Sequence, residues 1–185
     1  MARPKLHSDD EILSMAQAVL VAKGPAGFTL SDVAEAVGVS RAAIIQRFEN
    51  KTNLHRRVME RSTQEVRDYF AARPVVEGIP ALRDMLSELI AGMGEGEGFA
   101  GYLLLEWSDV HDEALNRLAQ ERNRLVREAI AVRLPESPEQ DVQASLIQAV
   151  IQGATMQWLI EPQGPLNGFV EAQTFRLLDR LFPGA

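Results

Sequence analysis

Three stretches of this 185-residue sequence carry side chains that could do chemistry. Between Gly38 and Lys51 the chain reads GVSRAAIIQRFENK, in which two arginines and a lysine surround an apolar Ala-Ala-Ile-Ile core. Cations on a short capped helix suit a polyanion, and a buried helix edge is the competing reading. Asp109, His111, Asp112 and Glu113 could together ligate a divalent metal. A turn or N-cap between helices also explains them, since Asp is favoured at a helix start by the dipole. Gly94-Glu-Gly-Glu-Gly98 has the outline of a phosphate loop, but its glutamates would repel an anion. No Lys or Ser/Thr follows at P-loop spacing and no strand precedes, so the stretch reads as a linker.

Catalytic signals are missing. The chain has no cysteine, which excludes disulfides, thiolate metal sites and cysteine nucleophiles. His7, His55 and His111 are scattered, and neither zinc-ligand nor nucleophile spacing appears. The expectation is a protein that is not an enzyme, with no cofactor and no metal.

Charge says where a polyanion would bind. The net charge is −7, yet residues 1–57 hold eight Lys/Arg against six Asp/Glu, leaving the remainder strongly acidic. This suggests that any nucleic-acid contact lies at the N-terminus, although an excess of two positive charges is also within chance. A hydrophobic fraction of 46% with 24% charged residues is ordinary for a globular protein. No run approaches the ~18 apolar residues of a membrane span, and the N-terminus lacks a signal-peptide core. These features predict a soluble, cytoplasmic protein with no membrane partner.

Positioning the cations requires helices. Ser8 with Glu11 forms a capping box before Ile12, Ala16, Val19 and Leu20, and Gly24-Pro25 stops that helix. Thr29 with Asp32 repeats the box for a short helix ending at Gly38. Ser40 caps a third helix from about Arg41 to Arg47, and Asn50 a fourth from Lys51 to near Ala72. Segments near 79–93, 99–109, 112–133, 138–160 and 167–182 follow, separated by Gly and Pro. An all-α chain of about nine helices results.

The second and third helices, joined at Gly38, have helix-turn-helix form. Val33, Val37, Val39 and Ile44 would fill the core between them, with the small Ala34 at the crossing. Gly38 supplies φ > 0, and Ser40 leaves the positive helix N-terminus facing outward. A groove-lying reader needs this arrangement. Any helical hairpin with a glycine turn shares the outline.

From Phe28 to Leu54 the sequence FTLSDVAEAVGVSRAAIIQRFENKTNL resembles the DNA-binding domain of TetR-family transcriptional regulators. The similarity lies in Thr29 and Ala34, the Gly-Val-Ser turn, Phe48, and the pair Lys51 and Leu54. It covers roughly the first third of the chain. The resemblance implies an N-terminal three-helix DNA-binding domain, residues 1–50, and a helical ligand-binding and dimerisation domain, residues 51–185, with 51–73 as the connecting helix. It further implies a repressor released from its operator by a small molecule. By position Thr29 and Lys51 would touch phosphates, while Arg41, Ala42 and Ala43 would face bases. One departure is Ile45, where the family often has tyrosine.

Physically, Arg41 can form a bidentate contact to guanine O6 and N7, and Ala42, Ala43 and Ile45 can pack on thymine methyls. Gln46 reaches a base or a phosphate, and Arg47 a phosphate. A solvated surface paired with nearby acids is the alternative for Arg47 and Arg56. Ile45 either touches a methyl or marks a loss of affinity. Arg3 and Lys5 precede the first cap, with backbone or minor-groove contact and disorder as equal readings.

In the remainder, Met85, Leu89, Met93, Tyr102, Leu103, Trp107 and Met156 are candidates for an adaptable apolar cavity holding an unidentified effector. They suit an ordinary core as well. Glu106, Gln148 and Gln152 are sharper pointers, since buried polar groups need partners. Leu146, Val150, Gly153, Ala154 and Gln157, facing Phe175, Leu178 and Phe182, predict a four-helix homodimer interface. A dimer matches a palindromic double-stranded operator.

Overall fold

The computed structural model describes residues 7–184, and among these the chain forms nine α-helices and no strand. They are α1 (Asp9–Gly27), α2 (Leu30–Val37), α3 (Arg41–Phe48), α4 (Lys51–Ala71), α5 (Ile79–Ala91), α6 (Phe99–Asp109), α7 (Glu113–Ala131), α8 (Gln140–Ile160) and α9 (Leu166–Leu181). Arg3 and Lys5 lie outside the described residues. No described helix is long and apolar enough to cross a membrane.

Local chemistry sets most boundaries. The Ser8 hydroxyl accepts from the Glu11 amide at 3.2 Å while the Glu11 carboxylate accepts from Ser8 N at 2.8 Å, so α1 starts with a complete capping box. Gly24 breaks its helical path at φ 71°, ψ 164°, just before Pro25. Asn50 accepts the Asn53 amide at 2.9 Å, opening α4.

By packing, the chain falls into two units. The first takes the chain up to Val66 together with Ala100–Glu121; the second takes Arg67–Phe99 and the chain from Arg122 onward. In the first, α1, α2 and α3 close on Ile12, Leu20, Phe28, Val33, Ile44 and Leu54, all at most 1% exposed. Burial of each such side chain contributes roughly 1.5–3 kcal/mol. Leu105 of α6 and Leu115 of α7 belong to the same core. Gly101 brings α6 onto α1 so closely that a Cβ there would overlap the Val21 carbonyl. Asp109, fully buried at the end of α6, sits 3.4 Å from Nε2 of the buried His55 on α4.

In the second unit α9 packs on α8 and on α5, around Leu82, Leu86, Ile90, Ile147, Leu166, Val170 and Leu178. The glycine-rich stretch is docked rather than a free linker. The carbonyls of Gly94 and Glu95 accept the amides of Asn167 (3.2 Å) and Leu166 (3.1 Å) at the start of α9. Gly96 faces the Trp158 ring with no room for a Cβ.

Candidate nucleic-acid interface

The helix-turn-helix is built from caps inward. Thr29 Oγ1 accepts the Asp32 amide at 3.2 Å, and Asp32 Oδ2 accepts from Thr29 N at 2.7 Å and its hydroxyl at 2.8 Å. Lys23 Nζ reaches Asp32 Oδ1 at 2.5 Å. That ammonium, followed by the Thr29 hydroxyl, holds the Asp32 carboxyl below its ordinary 3.8. Gly38 adopts φ 78°, ψ 33°, where its amide bonds to the Ala34 and Glu35 carbonyls and closes α2. Ser40 then caps α3 by accepting the Ala43 amide at 3.1 Å.

Once Ile44 and Phe48 are buried, helical geometry fixes what α3 presents. Arg41, Ala42, Gln46 and Arg47 are exposed, and Ala43 and Ile45 are half-buried. The Arg41 guanidinium makes no hydrogen bond or ion pair among the described residues, which leaves it available in the first turn. Ile45 packs against the first unit's core, so part of its role is structural.

Two cations are already engaged. Arg47 Nη1 donates to the His7 carbonyl at 2.6 Å and lies 3.4 Å from Asp9 Oδ1, tying α3 to the start of α1. Lys51 Nζ donates to the Ala26 carbonyl at 3.1 Å and lies 4.6 Å from the Phe28 ring centroid. The Asp9 contact fits the alternative of a surface Arg47 paired with an acid, but neither cation's partner could be named from the sequence, because both contacts join segments far apart in the chain.

The joint after α3 was also missed. Glu49 has φ 65°, ψ −60°, and Asn50 N donates to the Phe48 carbonyl at 2.7 Å across it. This is a γ-turn of the strained kind, held by a 2.7 Å bond from Asn53 Nδ2 to the Glu49 carboxylate.

The acidic cluster 109–113 resolves into structural roles. Asp112 Oδ1 accepts the amides of Ala114 (2.9 Å) and Leu115 (3.1 Å), capping α7, and the Leu115 bond leads in lowering its pKa. His111 Nδ1 lies 2.9 Å from the Trp107 carbonyl. Among the described residues no group of metal-binding side chains comes together.

The effector and dimer candidates scatter. Tyr102, Trp107 and Met156 are exposed, Met85 is buried, and Leu89, Met93, Leu103 and Glu106 are partly buried. Gln148 and Gln152 find their partner within the second unit, donating to the Asn123 side chain at 3.1 and 3.0 Å. Their polarity is thereby accounted for by a bond between α7 and α8. Ala154 and Leu178 correct the interface set: they are buried in the second unit's own core and offer no surface to a partner. Leu146, Gly153 and Gln157 are exposed, and Val150, Phe175 and Phe182 are partly buried.

Comparison with known proteins agrees with this geometry. The sequence profile described as "Bacterial regulatory proteins, tetR family" matches residues 12–58. None of the curated proteins matches the chain. Among solved structures, SmeT, the repressor of the Stenotrophomonas maltophilia multidrug efflux pump SmeDEF, is 18% identical, with a TM-score of 0.66 over 94% of this chain and 90% of its own. A TetR-family member from Streptomyces coelicolor A3 is 22% identical, with a TM-score of 0.64 over 90% and 95%. The multidrug-binding protein EbrR, in complex with ethidium, is 21% identical, with a TM-score of 0.65 over 90% and 95%. Residues 12–58 thus match the tetR-family model across the helix-turn-helix, and the chain has the fold of solved TetR-family regulators.

Proposed function

We propose that the chain is a repressor that reads a palindromic operator as a homodimer and leaves it when a small molecule binds. Residues 1–50 act as the reader, and residues 51–185 as the ligand-binding and dimerisation part. The observation that carries this reading is Arg41, an exposed, unengaged guanidinium in the first turn of a serine-capped helix. Bidentate contact from Arg41 to a guanine would supply ~1–3 kcal/mol of discrimination. Ser40 presents the amide-rich start of α3 to the backbone, with Thr29, Lys51 and Arg47 on phosphates. Ala42, Ala43, Ile45 and Gln46 complete the base-facing surface. Arg47 and Lys51 must leave their present partners to do so, and both partners are surface carbonyls or carboxylates that water can satisfy.

The dimer is supported by the outer face of α8. Val142, Leu146, Met156 and Ile160 are 60, 48, 47 and 81% exposed, an apolar stripe that a lone protomer has no reason to keep. Gly153 on the same stripe leaves open space for close approach. Effector binding rests on kinship: SmeT governs a multidrug efflux pump, and EbrR binds ethidium. An acidic chain acting on DNA in the cytoplasm fits a first segment, residues 1–57, that is net positive against a strongly acidic remainder.

Mobility-shift and anisotropy titrations on the DNA upstream of its gene test the reading. Wild type should retain that DNA in a sequence-dependent, salt-sensitive manner. Arg41→Ala should lose discrimination at one base pair, whereas Lys51→Ala should weaken all sequences alike and lower the salt slope by about one. Sequence-blind losses for both variants would refute the division of roles.

A further inference from the structure

The first unit contains a cleft of about 570 Å³ at the junction of the end of α1, the first turns of α4 and the last turns of α6. We propose that this cleft binds a small planar aromatic anion, and that filling it competes with DNA for Lys51.

Its size suits a two-ring molecule, since small-molecule sites run roughly 300–1,000 Å³. One wall is apolar and left open: Leu104 and Trp107 are 56% and 69% exposed, although both sit on a helix with a buried face. The Trp107 indole is not loose. His111 lies edge-on to it at 5.3 Å between centroids, and Nδ1 of the same imidazole is 2.9 Å from the Trp107 carbonyl. An oriented indole beside an open cleft is a stacking platform for a flat ring.

Charge selects the ligand's sign. The acids around the cleft are engaged elsewhere: Asp112 caps α7, Asp109 is buried against His55, and Asp32 holds Lys23. Lys51 lines the cleft with a carbonyl and a ring face for partners and no carboxylate. An aromatic carboxylate would supply the missing counter-charge while its ring covers Trp107 and Leu104.

Coupling to DNA follows from the position of Lys51 in the first turn of α4. This half rests on the reading of Lys51 as a phosphate contact. An ammonium held by a carboxylate in the cleft is withdrawn from a phosphate, so each anion weakens the other reciprocally.

The test uses 2-naphthoate and its neutral isostere 2-naphthamide in calorimetric titrations of the full chain. Naphthoate should bind once per chain, with the amide roughly tenfold weaker or more for want of the charge-assisted bond. Lys51→Gln should bring naphthoate down to the amide's level and leave the amide unchanged. Trp107→Ala should weaken both, with a melting temperature near wild type because the side chain is exposed. Equal affinity for acid and amide, no binding, or indifference to Trp107→Ala would overturn the site. Naphthoate that binds without lowering affinity for retained DNA would overturn the coupling. A wild-type chain that retains no DNA counts against the regulator reading alone, and calorimetry still decides the cleft.

Discussion

Gly101 and Gly153 both lie inside helices, one on α6 and one on α8, and their surroundings are opposite. At Gly101 the Val21 carbonyl occupies the space a Cβ would take, whereas nothing comes within 4 Å of the place at Gly153. The first glycine lets two backbones touch. The second gives up helix propensity for no contact inside its own protomer. A glycine that serves nothing internally draws attention to what lies outside, and Gly153 shares its open face with Leu146, Met156 and Ile160.

The sharpest way to break this comparison is Gly101→Ala. The methyl must push α6 off α1, and overpacking against backbone is expected to destabilise by about 3 kcal/mol. Urea unfolding followed by circular dichroism would measure it, and a loss under about 0.5 kcal/mol, the range of a surface substitution, would show that the crossing is more pliable than described.

Next in size is Thr29→Ala, which removes the hydroxyl half of the capping box on α2 and is expected to cost about 1 kcal/mol by the same measurement. Its effect belongs with the Gly101 side of the comparison, since both act on the first unit.

Gly153→Ala should go the other way. In dilute protein it gains about 0.5–1 kcal/mol as an unhindered helical glycine is replaced. If the α8 stripe meets a second copy closely, the gain reverses at high protein concentration, which unfolding at two concentrations would reveal. A gain independent of concentration would remove Gly153 from the interface.

The smallest expected effect is electrostatic. The folded Asp32 carboxyl lies below its ordinary 3.8, so its contribution is complete above that pH and is lost as pH falls through the lower folded value. Asp32→Asn should therefore be slightly less stable than wild type by a constant amount above about 3.8, with the gap closing as pH falls below it and the acid limb flattened. An unchanged acid limb would show that Lys23 does not hold the carboxylate in solution.

Sequence reading succeeded where the signal is local. Ser8 with Glu11, Thr29 with Asp32, Ser40, Asn50 and Gly38 are each caps or turns readable from a few neighbouring residues, and the helices begin and end close to them. It failed where a face had to be chosen. On α8 apolar residues run nearly all round the helix, so periodicity could not tell inward Ala154 from outward Met156 and Ile160. The contacts of Lys51 with Ala26, and of Gln148 and Gln152 with Asn123, join distant segments and have no sequence period at all. Which side chains α3 leaves exposed was legible because Ile44 and Phe48 fix its rotation. The cleft beside it was not.

The γ-turn at Glu49 carries an evolutionary consequence. A glutamate codon is one base from a glycine codon, and glycine adopts φ 65° without strain. A single-step change would relax the joint between reader helix and α4 while removing the carboxylate that Asn53 holds. The angle at which this lineage presents α3 is therefore within reach of one point mutation, at a position that touches neither base nor effector in the proposed scheme.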